Sequence, residues 1–549
     1  MIANAFNSHF VSVGRELASK IVDNGILPEY FLGNSVRDSI AIVPVTENEI
    51  VSLVAGLNDS AAGCDDIPTK VIKQVIDSIK TPITHVINTS LISGKFPDSY
   101  KQYKVIPLFK NGSKTSLNNY RPISLLSSFS KILEKIMYNK LENFFDHHNV
   151  ITQNQFGFRK HKSTTTAILT ITDHILKSFD SGSFTVGLFL DFRKAFDCVD
   201  HRILLKKLDH YGIRGVCFDW LSRFLSERNQ FVYFNRTKST YSQLTHSVPQ
   251  GSILAPLLFN IYINDIVNCT YHLKTILYAD DSCLYSSGKS LLNLINDINI
   301  DLINVNNWLN TNKLTLNIDK SHFIISRNKQ IPRNLPPIEI NNMNIKQVEN
   351  TKFLGIELQN NLKWDNQVSS IVNKINKYSA ILYLTRNKLN KQSLKLIYYS
   401  LVYSNISYAN IIWGETTKKN RNKMQIAQKK VIRTMQFRSK YESTNDDFKH
   451  LNILKIPEIN TYFSQIFVYK SLNNQTHPDN YFTFSHTHHN RILRNYNHLR
   501  TPFSKSHQGR SSPSIYCCNK WNNLPNHIKS KPSVGSFKSA LKQYLLDNY

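Results

Sequence analysis

The chain has 549 residues, too many for a single core and enough for about two to four domains that each bury sufficient apolar surface to fold, so size does not exclude an enzyme. Its 67 Lys and Arg against 39 Asp and Glu give a formal charge of +28, a field that attracts polyanions and puts nucleic acid ahead of a solvated basic surface or an acidic membrane as the partner. The seven cysteines form no CxxC pair, and no apolar run reaches the roughly 18 residues of a membrane span, which excludes a disulfide framework and an ordinary zinc finger and leaves a soluble, intracellular chain with no membrane partner.

In chain order, the first hundred residues read as helical. Thr46 followed by Glu49 is a capping box opening Ile50 to Leu57, and Val71, Ile72, Val75, Ile76 and Ile79 recur at helical spacing. Gly63 to Pro68 punctuates a turn between them. An amphipathic helix starts near Lys131, with Ile132, Ile136, Leu141 and Phe144 on one side. From 184 to 285 short apolar runs alternate with helical stretches, the pattern of a mixed α and β domain. Beyond 361, Val368, Ile371, Val372, Ile375, Tyr378 and Leu382 mark a long helix, with more helical pattern near 391–404 and 420–436. Residues 474–515, rich in His, Asn, Ser and Arg, are expected to be a flexible surface segment.

The chemistry is expected in the mixed region. Phe184 to Leu190 (FTVGLFL) is a continuous apolar run ending at Asp191, a buried strand that delivers one carboxylate to its open end. Thr275 to Tyr285 (TILYADDSCLY) reads as a hairpin with Asp280 and Asp281 at its turn. Asp is also a favoured turn residue, so that hairpin alone is weak evidence. If the two strands are neighbours, three carboxylates meet, and clustered hard oxygen ligands are what a pair of divalent ions needs for phosphoryl transfer from a nucleoside triphosphate.

Seven segments stand in order: YRPISLLSSFSKILEKI (120–136), QFGFRKHKSTTTAI (155–168), LFLDFRKAFDCVDH (188–201), SVPQGSILAPLLFNIYINDI (247–266), LYADDSCLY (277–285), LTLNIDKSHFIIS (314–326) and TKFLGIEL (351–358). Together they resemble the reverse transcriptases of non-LTR (LINE-type) retrotransposons, nearest the jockey-like group. The resemblance implies an α+β right-hand polymerase of fingers, palm and thumb: a helical N-terminal extension over 1–89, fingers and palm over 90–358, and a helical thumb and C-terminal region over 359–549. It implies RNA-directed DNA synthesis from dNTP on an RNA template, primed by DNA or a nicked target, with two Mg2+ ions (Mn2+ as the alternative), and a nuclear location during integration. Full-length elements of this group carry an endonuclease before the polymerase. Residues 1–100 are too short for one and show no catalytic constellation, so an endonuclease is not expected in this stretch.

The same resemblance assigns the site. Asp191, Asp280 and Asp281 become the metal ligands, while Asp197 and Asp200 are expected as solvated or capping carboxylates. Phe196 is implied under the sugar of the incoming nucleotide, where a bulky ring would clash with a 2′ hydroxyl; its alternative is a core aromatic. Arg159 matches the triphosphate-binding arginine, with Lys160 and Lys162 adding field. Gln250 and Gly251, after Pro249, are implied to lie against the nascent base pair, Gly251 allowing close backbone approach. Lys320 matches a lysine near the pyrophosphate and is a candidate proton donor. Phe353, Leu354 and Gly355 resemble the primer-grip turn. Between 416 and 441 nine basic residues and no acid accompany an apolar stripe of Met424, Ala427, Val431 and Met435, a helix with one docked and one basic face suited to a duplex backbone. His486, His488 and His489 with Cys517 and Cys518 fit no standard zinc spacing. Two rivals remain: a non-catalytic RNA-binding relic, and an RNA-dependent RNA polymerase with the same palm chemistry.

Overall fold

The structure, a computed structural model, describes residues 1–327, 332, 334–478, 481–485, 498–506 and 508–548. Its mixed helix and sheet architecture is organised by the strand Phe184–Asp191. This strand pairs antiparallel with Asp281–Gly288 on one side and with His322–Ser326 on the other. Lys274–Tyr278 extends the sheet beyond the first neighbour and the short parallel strand Lys346–Gln347 beyond the second. Every residue from Phe184 to Leu190 is buried, because both faces are covered, as a continuous apolar run requires. Val186, Leu188 and Leu190 enter one core with Ile298, Leu302 and Val305 of the helix Leu291–Thr311. Phe189 turns the opposite way, to Ile168 and Ile171 of the helix Thr164–Asp180, the two-residue alternation of a strand.

A second sheet is built from strands that lie both before and after Phe184–Asp191 in the chain. Gln102–Phe109 pairs antiparallel with Tyr120–Leu125 and parallel with Arg228–Phe234. The first helix, Ile2–Ser19, is built onto it: Ala3, Phe6 and Phe10 form a core with Tyr103, Val105, Tyr120 and Val232. Thr46 and Glu49 make the expected capping box at the helix Glu47–Gly56, and Thr69–Ser93 and Ser128–His147 supply the other two helices read from periodicity.

After the hairpin Asn350–Phe353 and Ile356–Gln359 the chain is helical. Asp365–Thr385 packs along Lys418–Met435. The helix near 391–404 is interrupted by a π-type turn, Tyr398–Tyr403. The described part of 474–515 departs from the flexible segment expected. Ser504 and Ser506 donate to Asp180, Ser512 donates to Asp173 at 2.7 Å, and Phe482 and Leu499 are buried, so hydrogen-bonding serines tie this segment to the helix Thr164–Asp180. Among the described residues no helix is long and apolar enough to cross a membrane.

Candidate active site

Strand register brings the acids together. Asp191 is the direct cross-strand partner of Asp281, and Tyr278 pairs with Asp281 across the hairpin, leaving Ala279, with a left-handed φ of 54°, and Asp280 as the two-residue turn. The segment LNIDKS holds Asp191 in place. Asn317 donates its side-chain amide to Oδ2 at 3.0 Å and its backbone N–H to the Asp191 carbonyl at 2.7 Å, while the Asp191 N–H donates to Ser321 Oγ at 3.2 Å. Lys320 lies between these contacts, exposed, its own N–H donating to the Asn317 carbonyl at 3.2 Å.

Although Asp280 and Asp281 reach solvent, the protein around them disfavours their charge. Burial, then Asp280, then Asp191 push the Asp281 carboxyl up to about 6. Asp280 is raised by burial, with Asp191 adding to it and Arg121 and Lys110 opposing. These cations come from the second sheet: Arg121 pairs in register with Leu108, and the Lys110 N–H donates to the Asn119 carbonyl at 2.9 Å. Lys194, in a left-handed conformation, donates Nζ to the carbonyls of Asn118 and Tyr120 at 3.4 and 3.3 Å. Lys110 and Arg121 therefore face the acidic cluster, and Lys194 lies near these two cations with Asp197 as the acid acting on it. Sequence reading missed these three cations; the one signal was Arg121, the second residue of the YRPISLL segment.

Hard carboxylate oxygens that repel one another are a fitting donor set for Mg2+, since a cation relieves the repulsion that raises Asp281. Among the described residues no three or more His, Cys, Asp or Glu side chains are already gathered tightly enough to hold a metal ion. The trio adjoins without forming a closed cage, which suits an ion that takes only one or two carboxylates plus substrate phosphates and water.

Other expected residues fall as follows. Gly251 has φ 127°, and a Cβ there would lie 2.4 Å from the Ser124 carbonyl oxygen, so the close approach this glycine allows is to the strand Tyr120–Leu125. The Gln250 carbonyl accepts from Ser124 N–H at 2.8 Å, and its side chain donates to Asp197 at 3.0 Å. Asp197 is buried rather than solvated, because the first helix backs its turn: a Cβ on Gly14 would strike the Asp197 carbonyl. Burial lifts the Asp197 carboxyl to about 6 against Lys194 and Gln250. Asp200 caps the helix His201–His210, accepting from Arg202 N–H at 2.8 Å. Phe196 is half-buried and stacked on Phe259, with centroids 4.3 Å apart. Arg159 is turned to Asp146, at 3.0 Å; the cations acting most on Asp280 and Asp281 are Arg121 and Lys110. Leu354 and Gly355 form the left-handed turn of the 350–359 hairpin, whose Phe353 ring packs 5.2 Å from Phe189. Met424, Ala427, Val431 and Met435 are all buried, as the apolar stripe implied, with Lys418, Lys419, Lys423 and Lys430 exposed. His486, His488 and His489 lie outside the described residues. Cys517 and Cys518 are buried free thiols held neutral, Cys518 pushed up to about 12 by burial, which does not suit zinc ligands.

A brace for the Asp280–Asp281 turn was not legible. Gln155 Oε1 accepts from Gly157 N–H at 2.8 Å and from Ala279 N–H at 3.3 Å, and Phe156 N–H donates to the Leu277 carbonyl at 2.7 Å. A Cβ on Gly157 would meet the Ala279 nitrogen at 2.6 Å. Gly157→Ala is therefore expected to force the turn away and to cost about 1–3 kcal/mol, seen as a lowered thermal-unfolding midpoint; an unchanged midpoint would show that the contact yields freely.

Residues 110–358 match the family described as reverse transcriptase (RNA-dependent DNA polymerase). The RNA-directed DNA polymerase from mobile element jockey of Drosophila melanogaster is 27% identical over 441 residues, 78% of this chain and 48% of that protein. Its counterpart from Drosophila funebris is 25% identical over 82% of this chain and 50% of its own length. The probable RNA-directed DNA polymerase from transposon BS of Drosophila melanogaster is 27% identical over 74% and 46%. The chain thus spans about half the length of these relatives. Residues 110–358 form a reverse transcriptase domain, and the chain is homologous to the RNA-directed DNA polymerases of jockey and other non-LTR retrotransposons.

Proposed function

We propose that the chain is an RNA-directed DNA polymerase of a non-LTR retrotransposon that adds deoxynucleotides from dNTP to a primer 3′ hydroxyl on an RNA template. The observation that carries this reading is the register pairing of Asp191 with Asp281 at the ends of two interior strands, beside Asp280, within a domain that matches the reverse transcriptase family. In this reading the sheet around Phe184–Asp191 is the palm of a right hand, with the fingers completing 90–358, a helical extension over 1–89, and the thumb and C-terminal region over 359–549.

Asp191, Asp280 and Asp281 would hold two Mg2+ ions, or Mn2+, which when bound activate the primer hydroxyl and stabilise charge on the triphosphate. Asn317 and Ser321 orient Asp191, while Gln155 and Gly157 brace the hairpin, so the carboxylates need little reorganisation. Lys110 and Arg121 offset the acids' repulsion and, with Lys194 near them, would attract the triphosphate. Arg159 joins them by exchanging Asp146, a partly exposed ion pair of small net value. Lys320, whose backbone is held between Asn317 and Ser321 and whose side chain is exposed, would hand a proton to the departing pyrophosphate. Gly251 lets the loop and Gln250 lie against the nascent pair. The strand on which it acts would be RNA paired with a DNA primer or nicked target, in the nucleus during integration.

Phe196, stacked on Phe259, would exclude a 2′ hydroxyl. Phe196→Val is expected to raise ribonucleotide incorporation relative to deoxynucleotide by about ten-fold or more, the scale on which a steric pocket discriminates. Incorporation ratios from primer extension with matched dNTP and NTP check this, and an unchanged ratio would return Phe196 to the core aromatics.

A further inference from the structure

The helices Asp365–Thr385 and Lys418–Met435 pack along one another and end at the same tip. There the Arg386 guanidinium lies over two rings, 4.4 Å from the centroid of Tyr383 and 4.9 Å from that of Phe437. Both rings stay 58% and 57% exposed, and Tyr441, with Lys440 at 5.5 Å, is 87% exposed. Soluble proteins seldom leave three large aromatic side chains open at one place without a use. Phe437 also has a left-handed φ of 56°, a conformation that glycine adopts freely at a helix end and an aromatic residue does not. That strain turns a ring outward where a small residue would close the helix at lower cost.

The charge around the rings selects the partner. Arg386, Lys388, Arg438 and Lys440 surround them, and the acids close by, Glu442 and Asp447, are both taken by Arg438 at 3.3 and 3.2 Å. Among the described residues no acid pairs with Arg386 or Lys440. A planar cation sandwiched between open rings extends a stack on which a nucleobase can continue, and the flanking cations meet the phosphates of the same strand. A duplex offers no free base faces to such a surface. A protein partner would need acidic residues around an apolar centre.

We propose that the Tyr383–Arg386–Phe437 stack, with Tyr441, is a platform for an unpaired nucleic-acid strand, separate from the Asp191–Asp280–Asp281 site. The 21-residue helix Asp365–Thr385 leads from the 350–359 hairpin to this tip, about 30 Å at 1.5 Å per residue, so the strand held here is not the base pair being copied. Binding at the platform does not require polymerase turnover, so its failure and failure of the polymerase reading are separable.

The test uses the full chain and fluorescence anisotropy with unstructured oligouridylate and oligodeoxythymidylate of about 16 nucleotides, a length within the reach of one stacking site, and a blunt duplex of equal length. Tyr383→Ala with Phe437→Ala is expected to weaken binding of the unpaired strand about ten-fold or more, in line with loss of base stacking, and duplex binding by less than about two-fold. Tyr383→Phe, which keeps the ring, should bind as the parent does, and Arg386→Gln should weaken the unpaired strand and reduce the salt slope by about one. A loss confined to the RNA probe identifies a transcript as the ligand, and an equal loss on both single strands identifies any unpaired strand. Equal losses on single strand and duplex, or no loss, overturn the platform. So does a change in sedimentation with nucleic-acid affinity unchanged, which would make the tip a protein-docking surface.

Discussion

Asp191→Asn is expected to reduce RNA-templated extension on the order of a thousand-fold, since several kcal/mol of charge stabilisation at the reacting phosphate depend on that carboxylate and each 1.36 kcal/mol is a factor of ten. The substitution keeps the shape of the side chain and an oxygen able to accept the Asn317 amide, so the fold should stand. Stability at neutral pH should not fall, and the sign follows from electrostatics. Asp281, held up at about 6 by burial, Asp280 and Asp191, has a folded pKa above its unfolded value near 3.9. A raised carboxylate costs stability progressively as pH rises from about 4 through 6, and the cost is fully present above that range. Removing the Asp191 charge relieves part of it. Thermal midpoints of parent and variant should therefore agree near pH 4, with the variant equal or higher at pH 7 and above. For the same reason Mg2+ should raise the parent's midpoint more at pH 7 than at pH 4.5, because protons compete for the same oxygens. A variant that loses activity together with its fold would leave Asp191 structural.

Lys207→Met carries the largest expected effect on stability. Lys207 and Asp265 have no exposed side-chain surface and approach to 2.5 Å; Nζ also donates to the Tyr262 carbonyl at 2.6 Å, and the rings of Tyr262 and Trp308 enclose it. Taking the lysine away strands Asp265, whose Oδ2 already has no protein partner. Breaking such a pair costs about 3–5 kcal/mol, whereas replacing both members by apolar residues of similar volume is often neutral. Lys207→Met with Asp265→Leu should thus be more stable than Lys207→Met alone, by thermal or urea unfolding. The site would sense the single change, because Tyr262 also accepts the Asp200 N–H and donates to the Asn312 carbonyl, linking the DFRKAFDCVDH segment to the turn before LTLNIDKS. Equal stability of parent and Lys207→Met would mean that the pair contributes nothing.

What could be read from residue order was local. FTVGLFL announces a strand covered on both faces, Thr46 with Glu49 announces a cap, and the apolar runs on either side of Asp280 and Asp281 announce a hairpin; each depends on neighbours in the chain. The register that sets Asp191 opposite Asp281 is a pairing across 90 positions, and only the order of the family's segments hinted at it. Lys110 and Arg121 look like ordinary surface cations until strand pairing swings them toward the acids. Asp197 reads as solvated because nothing near it in sequence shows that the first helix, nearly 200 positions earlier, closes over its turn. Gly157 reads as a loop glycine until the Ala279 backbone is found against it. The π-type turn Tyr398–Tyr403 has no proline or glycine to mark it.

The most direct test of the central claim is primer extension by the full chain on an RNA template with deoxynucleotides and Mg2+, set beside Asp280→Ala with Asp281→Ala. Templated extension is expected from the parent, dependent on the divalent ion, and none from the double variant although it folds and binds RNA. Extension that survives the double substitution, or a folded parent that binds RNA and never extends the primer, would contradict it.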